Sequence, residues 1–380
     1  MCKASLSSSR MLLAVACSAF TALFSCTGEN DSSSSGGSTA AGGAASGGSH
    51  AGGAPPAASG GAHAGGAPVG ASGGAARGGT HAGGAPASTG GDASGPAGAA
   101  GEGGAAGSGA SSGAGWPNAS NTGVPPGTQL TDYTTSCTIT VNGTIVDSKR
   151  INCDLVIRAA DVVIKNSKVK GLVYLDTDQP SSKDWSLTLQ DSEVDGGPVQ
   201  RAAVSDGNMT IIRANIYGGE TAVHCGEKAL TCRIQDSWLH GQYMPDDVDW
   251  HLGGFQSNGG TNIQLIHNTV ICDHPANRVG GGCTGDINLI PDWATISFVT
   301  VDRNFLGANT DASYCTYGGE KSTSDYPHAD HIVYTNNVFA RGTNKKCGAF
   351  GPVTSFNSQG TGNVWTNNTW EDGGAIQPEN

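Results

Sequence analysis

Residues 116–380 are predicted to fold as an all-β solenoid, a right-handed parallel β-helix of about eight or nine coils. Three observations carry that prediction. The first is a recurring six-residue pattern of apolar, polar, polar or small, Ser or Asn, any, apolar. The second is the glycine that follows most copies. The third is the absence of any apolar stripe with helical period.

The copies run along the whole segment. They are Ile164–Val169, Leu189–Val194, 211–216, 234–239, 265–270, 301–306, 334–339 and 365–370. Measured at the fourth position, successive copies lie 25, 22, 23, 31, 36, 33 and 31 residues apart. Apolar residues five apart break the two-residue alternation of a strand. A bend between them restores it, and Asn suits that bend because it tolerates the left-handed region. Gly171, Gly196, Gly218, Gly241, Gly307 and Gly342 then mark the next turn. Strand, bend, strand, turn and a third strand make one coil, and Asn268, Asn304, Asn337 and Asn368 are expected to stack as an internal ladder. His267 falls in the bend and reads as structural. A β-sandwich is the alternative, but a fixed bend chemistry at each repeat favours the solenoid.

The chain ahead of this domain differs in kind. Of 60 glycines, 31 fall in residues 27–115, a stretch almost without large side chains. It cannot offset its ordering entropy and is expected to be a disordered linker. Its glycines lack a third-residue period, which excludes collagen. Lys3 and Arg10 precede an apolar run, Met11–Phe24, too short to span a bilayer and suited to an export signal. Leu23-Phe24-Ser25-Cys26 resembles a bacterial lipoprotein cleavage box. Residues 1–25 are thus expected to be a signal peptide and Cys26 the lipidated first residue. Residues 26–115 would be a tether, holding the protein at the membrane of the cell surface. Plain secretion is the alternative.

Eight cysteines remain in the folded part. The simplest pairing closes local loops: Cys137–Cys153, Cys225–Cys232, Cys272–Cys283 and Cys315–Cys347. No C-x-x-C pair occurs, so no zinc site is expected. The net charge is −12, of which the folded part holds −11, from 17 basic and 28 acidic residues. Such a balance argues against nucleic acid as a partner. It leaves an acidic polysaccharide open, with a basic pocket or bridging Ca²⁺ supplying positive charge. Asp246, Asp247 and Asp249 form an acidic loop that reads as exposed or Ca²⁺-binding. A monomer is expected.

Cys137–Trp370 resembles the right-handed parallel β-helix proteins of the pectate-lyase-like superfamily. The stretch from Asp249 through His251, Gly253, Gly254 and Gln256 to Gly259-Gly260 and His267-Asn268 is similar to a His-x-Asp-Gly-x-Gln…Gly-Gly…Asn pattern in that group. Gly253 stands where the pattern has Asp. Asn309-Thr310-Asp311 and Asp246-Asp247 echo polygalacturonase motifs in the wrong order, and Asp325-Tyr326-Pro327-His328 is near an epimerase motif. The resemblance implies action on, or binding to, polysaccharide.

Loops on a rigid scaffold are where function sits. By alternation, if Val223, Phe255 and Ile287 point inward, His224, Gln256 and Asn288 point outward, as does Asp286. Tyr317, Glu320 and Lys321 would belong to the next coil. His251, Asp286, Glu320, Lys321 and Tyr317 are therefore the candidate catalytic residues. His224, Asp249, Gln256, Arg278 and Asn288 are the candidate substrate contacts. A uronan lyase would use Arg278 on the carboxylate, His251 or Lys321 as base, and Tyr317 as acid. A glycoside hydrolase would pair Asp286 with Glu320. A non-catalytic glycan-binding or structural surface protein is the alternative function.

Overall fold

The computed structural model describes residues 115–378, and within them the fold is a parallel β-helix. Cys26, the signal peptide and all but the end of the expected linker lie outside the described residues. One leading strand is followed by nine triplets of strands, so the solenoid has nine coils. The strands assemble into three sheets of 10, 9 and 9 strands, every ladder parallel. A single short 3-10 turn, Ser182–Asp184, interrupts the β structure among the described residues.

The repeat builds the coil at its bend. The residue at the third position takes the left-handed conformation in every copy: Asn166, Asp191, Arg213, Asp236, His267, Arg303, Asn336 and Asn367 all have φ between 47° and 57°. The fourth-position residue then turns inward. Asn304 is fully buried; its Oδ1 accepts from the Asn268 backbone N–H at 2.9 Å, and its Nδ2 donates to the Leu265 carbonyl at 2.9 Å. Asn337 repeats this toward Asn304, and Asn368 toward Asn337. In the earlier coils Ser237, Ser192 and Ser167 do the same with a hydroxyl. Each such bond adds about 1 kcal/mol and spares a buried backbone group its desolvation penalty.

Between the bends, strands bury every second residue. Ser186–Gln190 and Asn208–Ile212 both alternate half-buried and buried, and Leu187, Leu189, Met209 and Ile211 stack in register. Tyr334, Phe339, Phe356, Trp365 and Trp370 pack together at the C-terminal end, where the Trp365 indole donates to the Ile376 carbonyl. The four disulfides are Cys137–Cys153, Cys225–Cys232, Cys272–Cys283 and Cys315–Cys347, the local pairing expected.

One sheet departs from simple alternation. In five successive strands at least two consecutive residues are buried, among them Ala203-Val204, Ala222-Val223, Gly254-Phe255, Asp286-Ile287 and Cys315-Thr316. The second residues of the pairs, Val204, Val223, Phe255, Ile287 and Thr316, stand in register across the strands. Asp286 therefore does not point outward. It is 1% exposed, its Oδ1 accepts from the Cys272 N–H at 2.8 Å, and its Oδ2 has no partner. Burial pushes its carboxyl well above the usual range; the Cys272 N–H opposes this and the charge of Asp273 adds to it.

Candidate functional site

The outer face of that same sheet carries a column of side chains held in register. Tyr174, Ser205, His224, Gln256, Asn288, Tyr317 and Thr354 lie side by side on adjacent strands. Register brings together four residues that the sequence marked, His224, Gln256, Asn288 and Tyr317, but their roles differ along the column. His224 and Gln256 line a cleft of about 240 Å³, with Arg201, Asp206, Glu220, Asn258 and Trp293.

Its chemistry centres on His224. The ring nitrogen Nδ1 lies 3.0 Å from Asp206 Oδ1, and Nε2 lies 3.2 Å from Asn258 Oδ1. Gln256 Nε2 donates to the same Asn258 oxygen at 2.8 Å. Trp293 stands edge-on to the imidazole, ring centroids 6.0 Å apart, and is 58% exposed at the lip of the cleft. The Arg201 guanidinium lies 4.5 Å over the Tyr174 ring.

The two acids of the cleft titrate in opposite directions. Burial alone would raise the Asp206 carboxyl. The hydrogen bond and charge of His224, with the Ser205 hydroxyl and the Arg201 charge, outweigh it and hold Asp206 below the usual range. Glu220 is raised, because burial dominates; the His251 backbone N–H, the Gln200 side chain and the charges of His251 and His224 only partly compensate. One carboxyl favours ionisation and its neighbour retention of the proton, an arrangement found where acid and base roles are divided.

The other expected catalytic residues do not converge. His251 adjoins the cleft through its backbone, while its side chain is 71% exposed and 3.8 Å from Asp249. Glu320 accepts from the Ala329 N–H at 3.2 Å and faces His328 at 3.0 Å, so it ties down its own loop. With Asp286 in the interior, Asp286 and Glu320 do not face one groove and cannot act as a hydrolase pair. Asn288 keeps its place in the column but is 1% exposed and folds back toward Gly285. A Cβ on Gly253 would lie 2.6 Å from Asn288 Nδ2, so Asn288 occupies the space that an Asp at 253 would need. Tyr317 is half-buried and packs edge-on to Tyr314, where burial raises its phenol. Arg278 is exposed in the loop preceding the strand Gly282–Leu289. Lys321 forms an ion pair with Asp292, next to Trp293 in the loop that lips the cleft.

Asp286, Cys315 and Cys347 are the one cluster with metal-ligand spacing among the described residues, and both cysteines are spent in a disulfide.

The fold and cleft define a class: a disulfide-bonded parallel β-helix with a divided pair of acids on the outer face of one sheet. No family model matches the chain, and no curated protein or solved structure matches it.

Proposed function

We propose that the protein is an exported polysaccharide-active enzyme of the pectate-lyase-like kind, and specifically a glycoside hydrolase working in the Asp206–Glu220 cleft. The convergence of those two carboxyls with Arg201 and Trp293 on one cleft carries the reading, and the opposed directions of their pKa shifts support it. Glu220, protonated, delivers its proton to the glycosidic oxygen as the bond to the anomeric carbon breaks. Asp206, ionised, either takes a proton from the attacking water or attacks the anomeric carbon itself; the stereochemistry of the product separates the two. Trp293 offers an apolar platform for a sugar ring at the lip. Arg201 supplies a cation for a carboxylate on the glycan, which suits a uronate-containing chain despite the acidic net charge. The four disulfides support an exported protein, held by lipid on Cys26.

The test is incubation with a panel of uronate and neutral polysaccharides, with and without Ca²⁺. New reducing ends without unsaturated products support a hydrolase. Unsaturated ends would reassign the site to a lyase with His224 near the proton being removed. Retention on a glycan column with no product would mean a binding protein.

A further inference from the structure

Asn258 is 5% exposed, and its side chain meets four polar partners. Its Nδ2 donates to Asp292 Oδ2 at 3.1 Å and points at the Ile290 carbonyl at 3.5 Å. Two acceptors on that side fix the amide orientation, because the reversed amide would set its oxygen against a carboxylate and a carbonyl. Oδ1 is thus left facing Gln256 Nε2 and His224 Nε2. Its backbone carbonyl accepts from the N–H groups of Trp293, at 2.9 Å, and Ala294, at 3.3 Å. Asp292 in turn holds Lys321 from the following coil. A chain of contacts runs from Lys321 through Asp292, Asn258 and His224 to Asp206.

The orientation has a consequence for the imidazole. Each of its nitrogens faces an oxygen acceptor, Asp206 Oδ1 on one side and Asn258 Oδ1 on the other. An acceptor on each side calls for a proton on each nitrogen. We infer that Asn258 is the positioning residue of this cleft: it holds His224 as a doubly protonated cation against Asp206 and, through its backbone, seats the loop that carries Trp293. His224 in that form is a donor and a fixed charge. It cannot abstract a proton, which makes this arrangement fit hydrolysis with Asp206 ionised better than base catalysis by His224. Lys321 acts through Asp292 as the far anchor. The role of this arrangement in turnover rests on the hydrolase reading; the state of the ring does not.

The full-length protein labelled with ¹⁵N-histidine tests it. His224 is assigned by loss of its signals in His224→Gln, or by its nuclear Overhauser contact with the Trp293 ring should that variant not fold. Both ring nitrogens of wild-type His224 are expected at imidazolium-type shifts, at the pH where the panel is assayed. Asn258→Leu is expected to strip the Nε2 proton and leave Nδ1–H on Asp206. On a substrate found by the panel it should lower kcat roughly tenfold or more, with a smaller change in KM. A wild-type ring protonated on only one nitrogen overturns the inference even if the hydrolase reading stands. A doubly protonated ring in a protein with no activity on any glycan sustains the positioning geometry and sinks the hydrolase reading alone.

Discussion

Replacing Asp286 by Asn isolates one buried proton. The carboxyl is buried with a single hydrogen bond, from Cys272, and burial holds its pKa well above the usual range. In the unfolded chain it ionises near about 3.9. Unfolding therefore releases a proton, and the unfolded state binds fewer protons than the fold. Stability from this group is complete below the unfolded value and is lost as pH rises toward the folded one. The slope is about 1.4 kcal/mol per pH unit, the linkage limit for one proton. Asn keeps an oxygen for the Cys272 N–H. Its added NH₂ costs about 1–3 kcal/mol if unpaired, an offset that does not vary with pH. Urea unfolding of the oxidised wild type and Asp286→Asn, from pH 4 upward, measures the difference directly. We expect the wild type to lose its stability advantage steadily as pH rises and to level off once the folded carboxyl ionises. Parallel curves for the two proteins would refute the reasoning, since they would mean that Asp286 is ionised in the fold.

Other substitutions probe the ladder, the space between Gly253 and Asn288, the cleft and the tether. Asn304→Leu should destabilise by about 3 kcal/mol, because it leaves the Asn268 N–H and the Leu265 carbonyl unpaired. Asn304→Ser should cost less, since serine does this job at Ser167, Ser192 and Ser237; chemical denaturation compares the two. Gly253→Asp should lose about 1–3 kcal/mol through its clash with Asn288, and adding Asn288→Gly should recover part of it in a thermal melt. Glu220→Gln and Asp206→Asn should each lower kcat by roughly 10²–10⁴ with circular dichroism unchanged. Cys26→Ser should abolish incorporation of labelled palmitate in the expressing cell, whereas wild-type protein should carry it.

The coil was legible because its determinants are local. A left-handed residue followed by Ser or Asn, flanked by apolar residues five apart, specifies the bend without knowledge of any partner strand. The disulfides were legible because each joins cysteines that are neighbours in the sequence, 7 to 32 residues apart. Asp286 departs from the outward orientation that alternation predicts, because in its strand consecutive residues are buried. Gly254-Phe255 and Cys315-Thr316 hold the same clue, a small or apolar residue ahead of the core residue in successive strands. The cleft was only half visible. His224 and Gln256 sit on strands, where register follows from the repeat. Asp206, Glu220 and Trp293 lie just outside strands, at 206, 220 and in the loop after Leu289. Insertions fall at different corners in different coils, so the spacing of the bends does not align those positions. The preceding strand does offer one signal: Ser205 pairs with His224, and Asp206 is the next residue.

The proposed chemistry requires that the glycan be cut in this cleft. The most direct measurement is a crystal structure of Glu220→Gln with an oligosaccharide of a polymer that the wild type degrades. It should show a sugar on Trp293, the glycosidic oxygen within hydrogen-bond reach of residue 220, and the anomeric carbon facing Asp206. An oligosaccharide bound on another face of the solenoid, or full activity in that variant, would contradict it.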